Sequence, residues 1–291
     1  MSKAYEYQPS LSVQEFFSAV AALRQRVTAP LVEAWVPATN QTVVDIVTAD
    51  LFAARLPIST LPITPEEFRR FAAAADYASR YPQYYTGCVP EKILEHFVSL
   101  RLLEMGTNDV FVDVASEGSP LPEIARRLYG ATTYAQDIMY PPGIAEGRIG
   151  GDACAMPVPD GFASKVALTC SLEHFEGDGD TRLFLELGRI LAPGGRVVVV
   201  PLYMYTRAAV QTDPCYSVSA DVPFDPGATI FCAKGWANRL GRFYSAASLR
   251  KRVIGPSGHL FDFAIYRLAE PAAIDGRIYA RFAMLATRRL A

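Results

Sequence analysis

The chain has 291 residues, enough for one large domain or for one domain with a cap. Its apolar fraction is ordinary for a soluble globular protein, and a formal net charge of -2 offers no surface to a bulk polyanion, so nucleic acid is disfavoured as a partner. The start of the chain is polar, with no basic region leading into an apolar run, and no apolar stretch approaches the ~20 residues that cross a bilayer, so neither a secretory signal nor a membrane partner is expected.

Taken in order, residues 12–27 predict an amphipathic helix with Val13, Phe16, Phe17, Val20 and Leu23 on one face. Residues 28–63 read as irregular, with Pro30, Pro37, Pro57 and Pro62 as breakers. A helix start follows at Thr64-Pro65-Glu66-Glu67, where Thr64 caps, Pro65 suits the first helical position and Glu67 completes a capping box. A third helix starts near Pro90 and uses Ile93, Leu94, Phe97 and Leu100. After Met105-Gly106 strand-like runs alternate with helical ones. Strands are expected at Asp109–Ala115, Thr132–Asp137, Lys165–Cys170 and Arg196–Leu202, with helices at Leu121–Tyr129 and Asp180–Leu191. The four consecutive valines of the last strand imply cover on both faces, as in a parallel sheet. Residues 203–244 break the rhythm and read as an insertion or lid. A helix at Ser245–Val253 and strands at His259–Leu268 and Ile278–Thr287 close the chain. The alternation predicts a doubly wound α/β sheet.

The five cysteines, Cys88, Cys154, Cys170, Cys215 and Cys232, are scattered and never spaced as Cys-x-x-Cys. They read as reduced thiols in a cytoplasmic protein, and no metal site is expected.

In an open α/β sheet the ligand lies beyond the carboxyl ends of the strands. Those ends carry Asp113, Glu117, Asp137 and Asp152. Four acids would repel a pyrophosphate but suit a cationic ligand rich in hydroxyl and amino donors. Pro120 and Pro122 stand where the first helix should begin, and proline has no N–H to give a pyrophosphate. A nicotinamide-dependent oxidoreductase is therefore the weaker alternative.

Three stretches carry a resemblance: Gly151-Asp152-Ala153-Cys154-Ala155-Met156-Pro157-Val158-Pro159-Asp160-Gly161-Phe162, Ser171-Leu172-Glu173-His174-Phe175, and Arg189-Ile190-Leu191-Ala192-Pro193-Gly194-Gly195-Arg196. In that order and spacing they resemble the class I S-adenosylmethionine (SAM)-dependent methyltransferases that act on small molecules. The resemblance covers residues 105–205 well and the last two strands loosely, and does not extend to residues 1–100. It implies a Rossmann-like, seven-stranded methyltransferase sheet over residues 105–291, interrupted by the 203–244 insertion. Residues 1–104 would form an N-terminal helical cap on the substrate side. It further implies SAM as cofactor and a small-molecule methyl acceptor, with O-, N- or C-methylation and a homodimer left open.

Residue by residue, the resemblance places Asp113 near the methionine moiety and Ala115, Ser116 and Gly118 in the turn beneath the cofactor. Asp137 would meet the ribose hydroxyls, Asp152 and Ala153 the adenine, and Ser171 the methionine end. His174 matches the family's histidine and is the candidate general base, against the plainer reading of a structural histidine. The family's Gly-x-Gly-x-Gly turn is here Ala115-Ser116-Glu117-Gly118-Ser119, which raises the alternative of a catalytically silent binding protein. Tyr77, Tyr81, Tyr84 and Tyr85 could line an acceptor pocket or simply pack the N-terminal helices. Tyr203, Tyr205, Trp236 and Tyr244 carry the same two readings in the insertion.

Overall fold

The computed structural model describes residues 12–84 and 87–290. The polar start of the chain and Tyr85 therefore lie outside the described residues. The helices in chain order are α1 (Val13–Arg26), α2 (Gln41–Ala53), α3 (Pro65–Ala75), α4 (Tyr77–Arg80), α5 (Val89–Leu103), α6 (Leu121–Tyr129) and α7 (Gly179–Ile190), with short helical turns at Pro214–Ser217 and from Ala246 to Ser257. The strands are β1 (Leu31–Val32), β2 (Ile58–Leu61), β3 (Val110–Val114), β4 (Thr132–Asp137), β5 (Gly143–Ala145), β6 (Arg148–Gly150), β7 (Ala163–Thr169), β8 (Leu191–Val200), β9 (Ala209–Thr212), β10 (Thr229–Cys232), β11 (Gly241–Phe243), β12 (Phe261–Leu268) and β13 (Phe282–Arg288).

The large sheet runs β2-β12-β13-β8-β7-β3-β4-β6-β5. Strands β8, β7, β3, β4 and β6 are mutually parallel, and β13 is antiparallel between β8 and β12. The four valines show why this sheet is covered twice. Val197 and Val199 pack with Leu183, Phe184 and Leu187 of α7 and Val44, Val47 and Leu51 of α2. Val198 and Val200, pointing the other way by the two-residue period of a strand, pack with Leu94 and Val98 of α5 and Leu121 and Ile124 of α6. Chain order reverses direction between β3 and β7, so the switch point lies beyond Asp113 and Cys170.

The capping box predicted at Thr64 is present. Its hydroxyl accepts from the Glu67 N–H at 3.1 Å, while Glu67 accepts from the Thr64 N–H at 3.1 Å. Of the α1 face, Phe16, Val20 and Leu23 are buried, while Val13 and Phe17 stay exposed. The irregular reading of residues 28–63 needs correction. Asn40 caps α2 by accepting from the Thr42 N–H at 2.9 Å, and Pro37 and Pro57 lie outside that helix rather than within it. The same segment supplies β2 to one edge of the large sheet and β1 to a second sheet.

That second sheet, β1-β10-β9-β11, draws its other strands from residues 203–244. Helix α1 packs on it through Phe16, Val20 and Leu23 against Ile230 and Cys232. A buried ionic knot ties it to the main sheet. Arg242, 2% exposed, donates from Nε and Nη2 to the two oxygens of Asp225 at 2.6 and 2.9 Å. Its Nη1 donates to the Phe175 carbonyl at 2.6 Å. Asp180, fully buried at the start of α7, accepts from the Tyr244 hydroxyl at 2.8 Å and from Arg252 at 2.7 and 2.8 Å. Removing Arg242 from this buried network leaves Asp225 with only the longer contact to Arg252 at 3.6 Å. R242A is expected to lower stability by roughly 3–5 kcal/mol, read from the shift in denaturant midpoint; a shift worth under about 1 kcal/mol would show the knot to be energetically idle.

Candidate functional site

The site is built at the switch point from the ends of β3, β4 and β7 and from one face of α5. Asp113, next to last in β3, is fully buried. Neither of its oxygens accepts a hydrogen bond of good geometry among the described residues, although the nearby Ser119 hydroxyl offsets part of the burial. Burial pushes its carboxyl up to about 7. A buried carboxylate without a partner is costly, so it points to a ligand that brings the missing donors.

The following turn bends through left-handed backbone at Ala115 (φ 53°), Glu117 (φ 43°) and Gly118 (φ 76°). It is held from β4. The Ala115 N–H donates to the Gln136 side-chain oxygen at 3.1 Å and the Ser116 N–H to the Gln136 carbonyl at 2.9 Å. The Glu117 N–H donates to Asp137 Oδ2 at 2.9 Å. A Cβ on Gly118 would meet nothing within 4 Å, so the space over the turn is open. Helix α6 then begins with Pro120 as its cap and Pro122 inside its first turn, and the Leu121 N–H is taken by Ser119 Oγ at 3.2 Å. No run of free N–H groups faces a pyrophosphate there, as the sequence implied.

Asp137 is buried and accepts one N–H on each oxygen, from Glu117 and from Met139, each at 2.9 Å. Each oxygen keeps a second acceptor position. Gly151 joins the same end of the sheet through its N–H to the Asp137 carbonyl at 3.3 Å. The Asp152 side chain is placed differently. It is exposed, accepts from the Cys154 N–H at 2.9 Å and pairs with Arg182 at 3.3 Å. The next residue, Ala153, is buried. The structure thus gathers Asp113, Ala115, Ser116, Gly118 and Asp137 around one turn, and turns the Asp152 carboxylate toward Arg182.

Beyond β7, Ser171 is buried and its hydroxyl has no partner among the described residues. A short 3-10 turn, Leu172–His174, follows. His174 Nδ1 lies 2.6 Å from the Leu240 carbonyl. A carbonyl only accepts, so Nδ1 carries the proton and Nε2 is the nitrogen free to take another. Nε2 lies 3.5 Å from Glu173 Oε1, and the ring stacks 6.0 Å from Trp236 of the insertion. Glu173 itself is buried, its other oxygen lacks a partner among the described residues, and burial raises its carboxyl, opposed by His174.

The sequence reading missed the polar face of α5. Glu91, Lys92, Glu95, His96 and Ser99 are all buried there. Their spacing repeats every three to four residues, opposite the apolar stripe, and that was the signal available. Lys92 Nζ pairs with both Glu95 oxygens at 3.1 and 3.0 Å. Cys170 donates its S–H to Glu95 at 3.0 Å and lies 3.5 and 3.7 Å from the Tyr203 and Tyr279 hydroxyls. Burial pushes that thiol well above its ordinary range, which makes it a neutral donor rather than a nucleophile. Glu91 is raised to about 8 by burial and by Glu95. His96, hydrogen-bonded to Tyr77 at 2.5 Å and driven down to about 3 by burial, is neutral. Tyr77 and Tyr81 meet edge to face, so these tyrosines pack the N-terminal helices. Among the described residues no group of His, Cys, Asp and Glu could hold a metal ion, and no helix is long and apolar enough to cross a membrane.

The strand order, with its antiparallel strand between β8 and β12, defines a class: the fold is an open, doubly wound Rossmann-like α/β sheet. No protein-family model matches the chain, and no curated protein matches its sequence. Among solved structures, the chain is similar to the Burkholderia thailandensis 1,6-didemethyltoxoflavin-N1-methyltransferase with bound 1,6-didemethyltoxoflavin and S-adenosylhomocysteine. The TM-score is 0.48 at 14% identity, over 81% of this chain and 95% of that one. It is also similar to the PH0226 protein of Pyrococcus horikoshii OT3 (TM-score 0.43, 14% identity, 77% of this chain and 99% of that one). A third is an S-adenosylmethionine-dependent methyltransferase of Mesorhizobium loti (TM-score 0.41, 14% identity, 67% and 98%).

Asp113 links the site to stability. Its carboxyl is raised on folding from an ordinary 3.8 to about 7. Its contribution is therefore fully present below the lower value and lost as pH rises through the upper one. D113N removes this loss. The stability of the wild type relative to D113N, without ligand, is expected to fall by roughly 2–4 kcal/mol between pH 4 and pH 8, read by denaturant titration at each pH; parallel stability curves would place Asp113 in contact with water or a partner.

Proposed function

We propose that the protein is a SAM-dependent methyltransferase acting on a small-molecule acceptor by O- or N-methylation. The observation that carries this reading is Asp113, fully buried at the switch point, with no well-formed hydrogen bond to either oxygen among the described residues and only the nearby Ser119 hydroxyl to offset its burial. A cationic, donor-rich ligand satisfies it, whereas a pyrophosphate would face acids and two prolines at the start of α6.

In this reading Asp113 holds the ammonium of the methionine moiety, and Ala115, Ser116 and Gly118 lie beneath it. The second acceptor position on each Asp137 oxygen takes a ribose hydroxyl. Asp152 and Ala153 border the adenine, Asp152 through its backbone, because its carboxylate is engaged with Arg182. Ser171 borders the methionine end. SAM, when bound, supplies an electrophilic methyl group on a sulfonium. The chain's part is mainly to align the acceptor with that group and exclude water. His174 acts as general base through Nε2, worth roughly 10²–10⁴-fold where the acceptor must lose a proton. The insertion fixes that ring from two sides, by the Leu240 carbonyl and by Trp236. The acceptor side is formed by α5 and the 203–244 insertion. The free thiols Cys88, Cys154, Cys170, Cys215 and Cys232 agree with a cytoplasmic location.

Calorimetry with S-adenosylhomocysteine tests the reading directly. Saturable one-to-one binding is expected, weakened at least about tenfold by D113N and by D137A, since each removes a charge-assisted hydrogen bond. Absence of binding to folded wild-type protein would defeat the proposal, and NADH binding in its place would restore the oxidoreductase alternative.

A further inference from the structure

On the turn after β7, two buried side chains have oxygens without a partner among the described residues. Glu173 keeps one oxygen without a partner and Ser171, two residues earlier on the same turn, keeps a free hydroxyl. Both residues are more than nine-tenths buried. The basic nitrogen of His174 lies beside them, 3.5 Å from the other Glu173 oxygen. Tyr203 and Tyr279, stacked with ring centroids 6.5 Å apart, place their hydroxyls near Cys170, just before this turn. The nearby ammonium of Lys92 is drawn to Glu95 through both carboxylate oxygens.

We propose that the methyl acceptor is a small molecule bearing a primary amine, seated on Glu173 and Ser171 beside His174. This rests on the methyltransferase reading and adds the acceptor's chemical class. A neutral primary amine has two N–H donors and one lone pair. The donors match the two unpartnered acceptors, Glu173 and Ser171, and leave the lone pair aimed at the methyl group. A carboxylate or phosphate acceptor would meet Glu173 out of water, where like charges repel strongly. A hydroxyl has one donor, which it must give up to react, and the alkoxide then leaves both buried acceptors unpaired.

The amine enters as an ammonium held by Glu173 and gives one proton to His174 Nε2. Its freed lone pair forms the N–C bond as the C–S bond breaks, and that electron pair stays on sulfur, turning a sulfonium into a thioether. The product leaves as an N-methylammonium. The imidazole, whose side chain is 40% exposed, returns its proton to water.

The test uses the full chain saturated with S-adenosylhomocysteine and three probes on one skeleton: benzylamine, benzyl alcohol and benzoate. A turnover assay with methyl-labelled SAM runs in parallel on a library of matched amines, alcohols and acids. Amines are expected to bind and to be methylated, at least about tenfold better than their matched alcohols and acids. E173Q presents an amide N–H₂ to the ammonium and is expected to erase that preference through KM, with E173D restoring part of it; S171A is expected to reduce it less. Binding of S-adenosylhomocysteine with preference for alcohols or acids, with no amine bound or methylated, or with amine selectivity unmoved in folded E173Q, overturns the amine assignment alone. Loss of S-adenosylhomocysteine binding in the wild type would instead bring down the methyltransferase reading beneath it.

Discussion

A carboxylate held out of water with too few partners among the described residues to offset its burial is the constraint on which the rest of this structure turns. Asp113 sits at the end of a strand covered on both faces, so solvent does not reach it and the Ser119 hydroxyl and the Lys92 ammonium offset only part of the cost. Its carboxyl is raised to about 7 for that reason. Proteins rarely tolerate such a group unless a ligand completes it. The adjoining turn spends the N–H groups of Ala115, Ser116 and Glu117 on Gln136 and Asp137. The Asp113 oxygens and the second acceptor positions of Asp137 leave acceptor capacity around it.

The second sheet makes sense in relation to that end of the main sheet. It holds the Leu240 carbonyl and Trp236 against His174, and so sets which ring nitrogen is basic. The Arg242 guanidinium reaches the Phe175 carbonyl, one residue beyond His174, and is locked in turn by Asp225. The turn carrying Glu173 and His174 is therefore braced by a separate layer of structure rather than by its own short helix.

Legibility varied with how local the determining physics was. Helix α6 and strand β4 have the bounds read from the sequence, because amphipathic spacing, a glycine C-cap and the short run between that glycine and Asp137 are all local signals. The capping box at Thr64 was legible for the same reason. Helix α2 was not, since Pro37 and Pro57 bracket it closely and its β-branched residues resemble a strand. The polar face of α5 went unread because its charges look like a solvated surface until β7 and the residues before β13 close over them. Asp152 was legible as part of a motif, yet its side chain turns to Arg182, a partner thirty positions away.

By itself the sequence determined the alternating architecture, the acids at the strand ends and the missing N–H donors at Pro120 and Pro122, all of which follow from residue type and short-range periodicity. Only the tertiary structure decided which acids are desolvated and which are already paired. The physical reason is that the cost of a charge depends on what surrounds it in space. For Asp113, Glu95 and Glu173 those surroundings come from segments far apart in the chain.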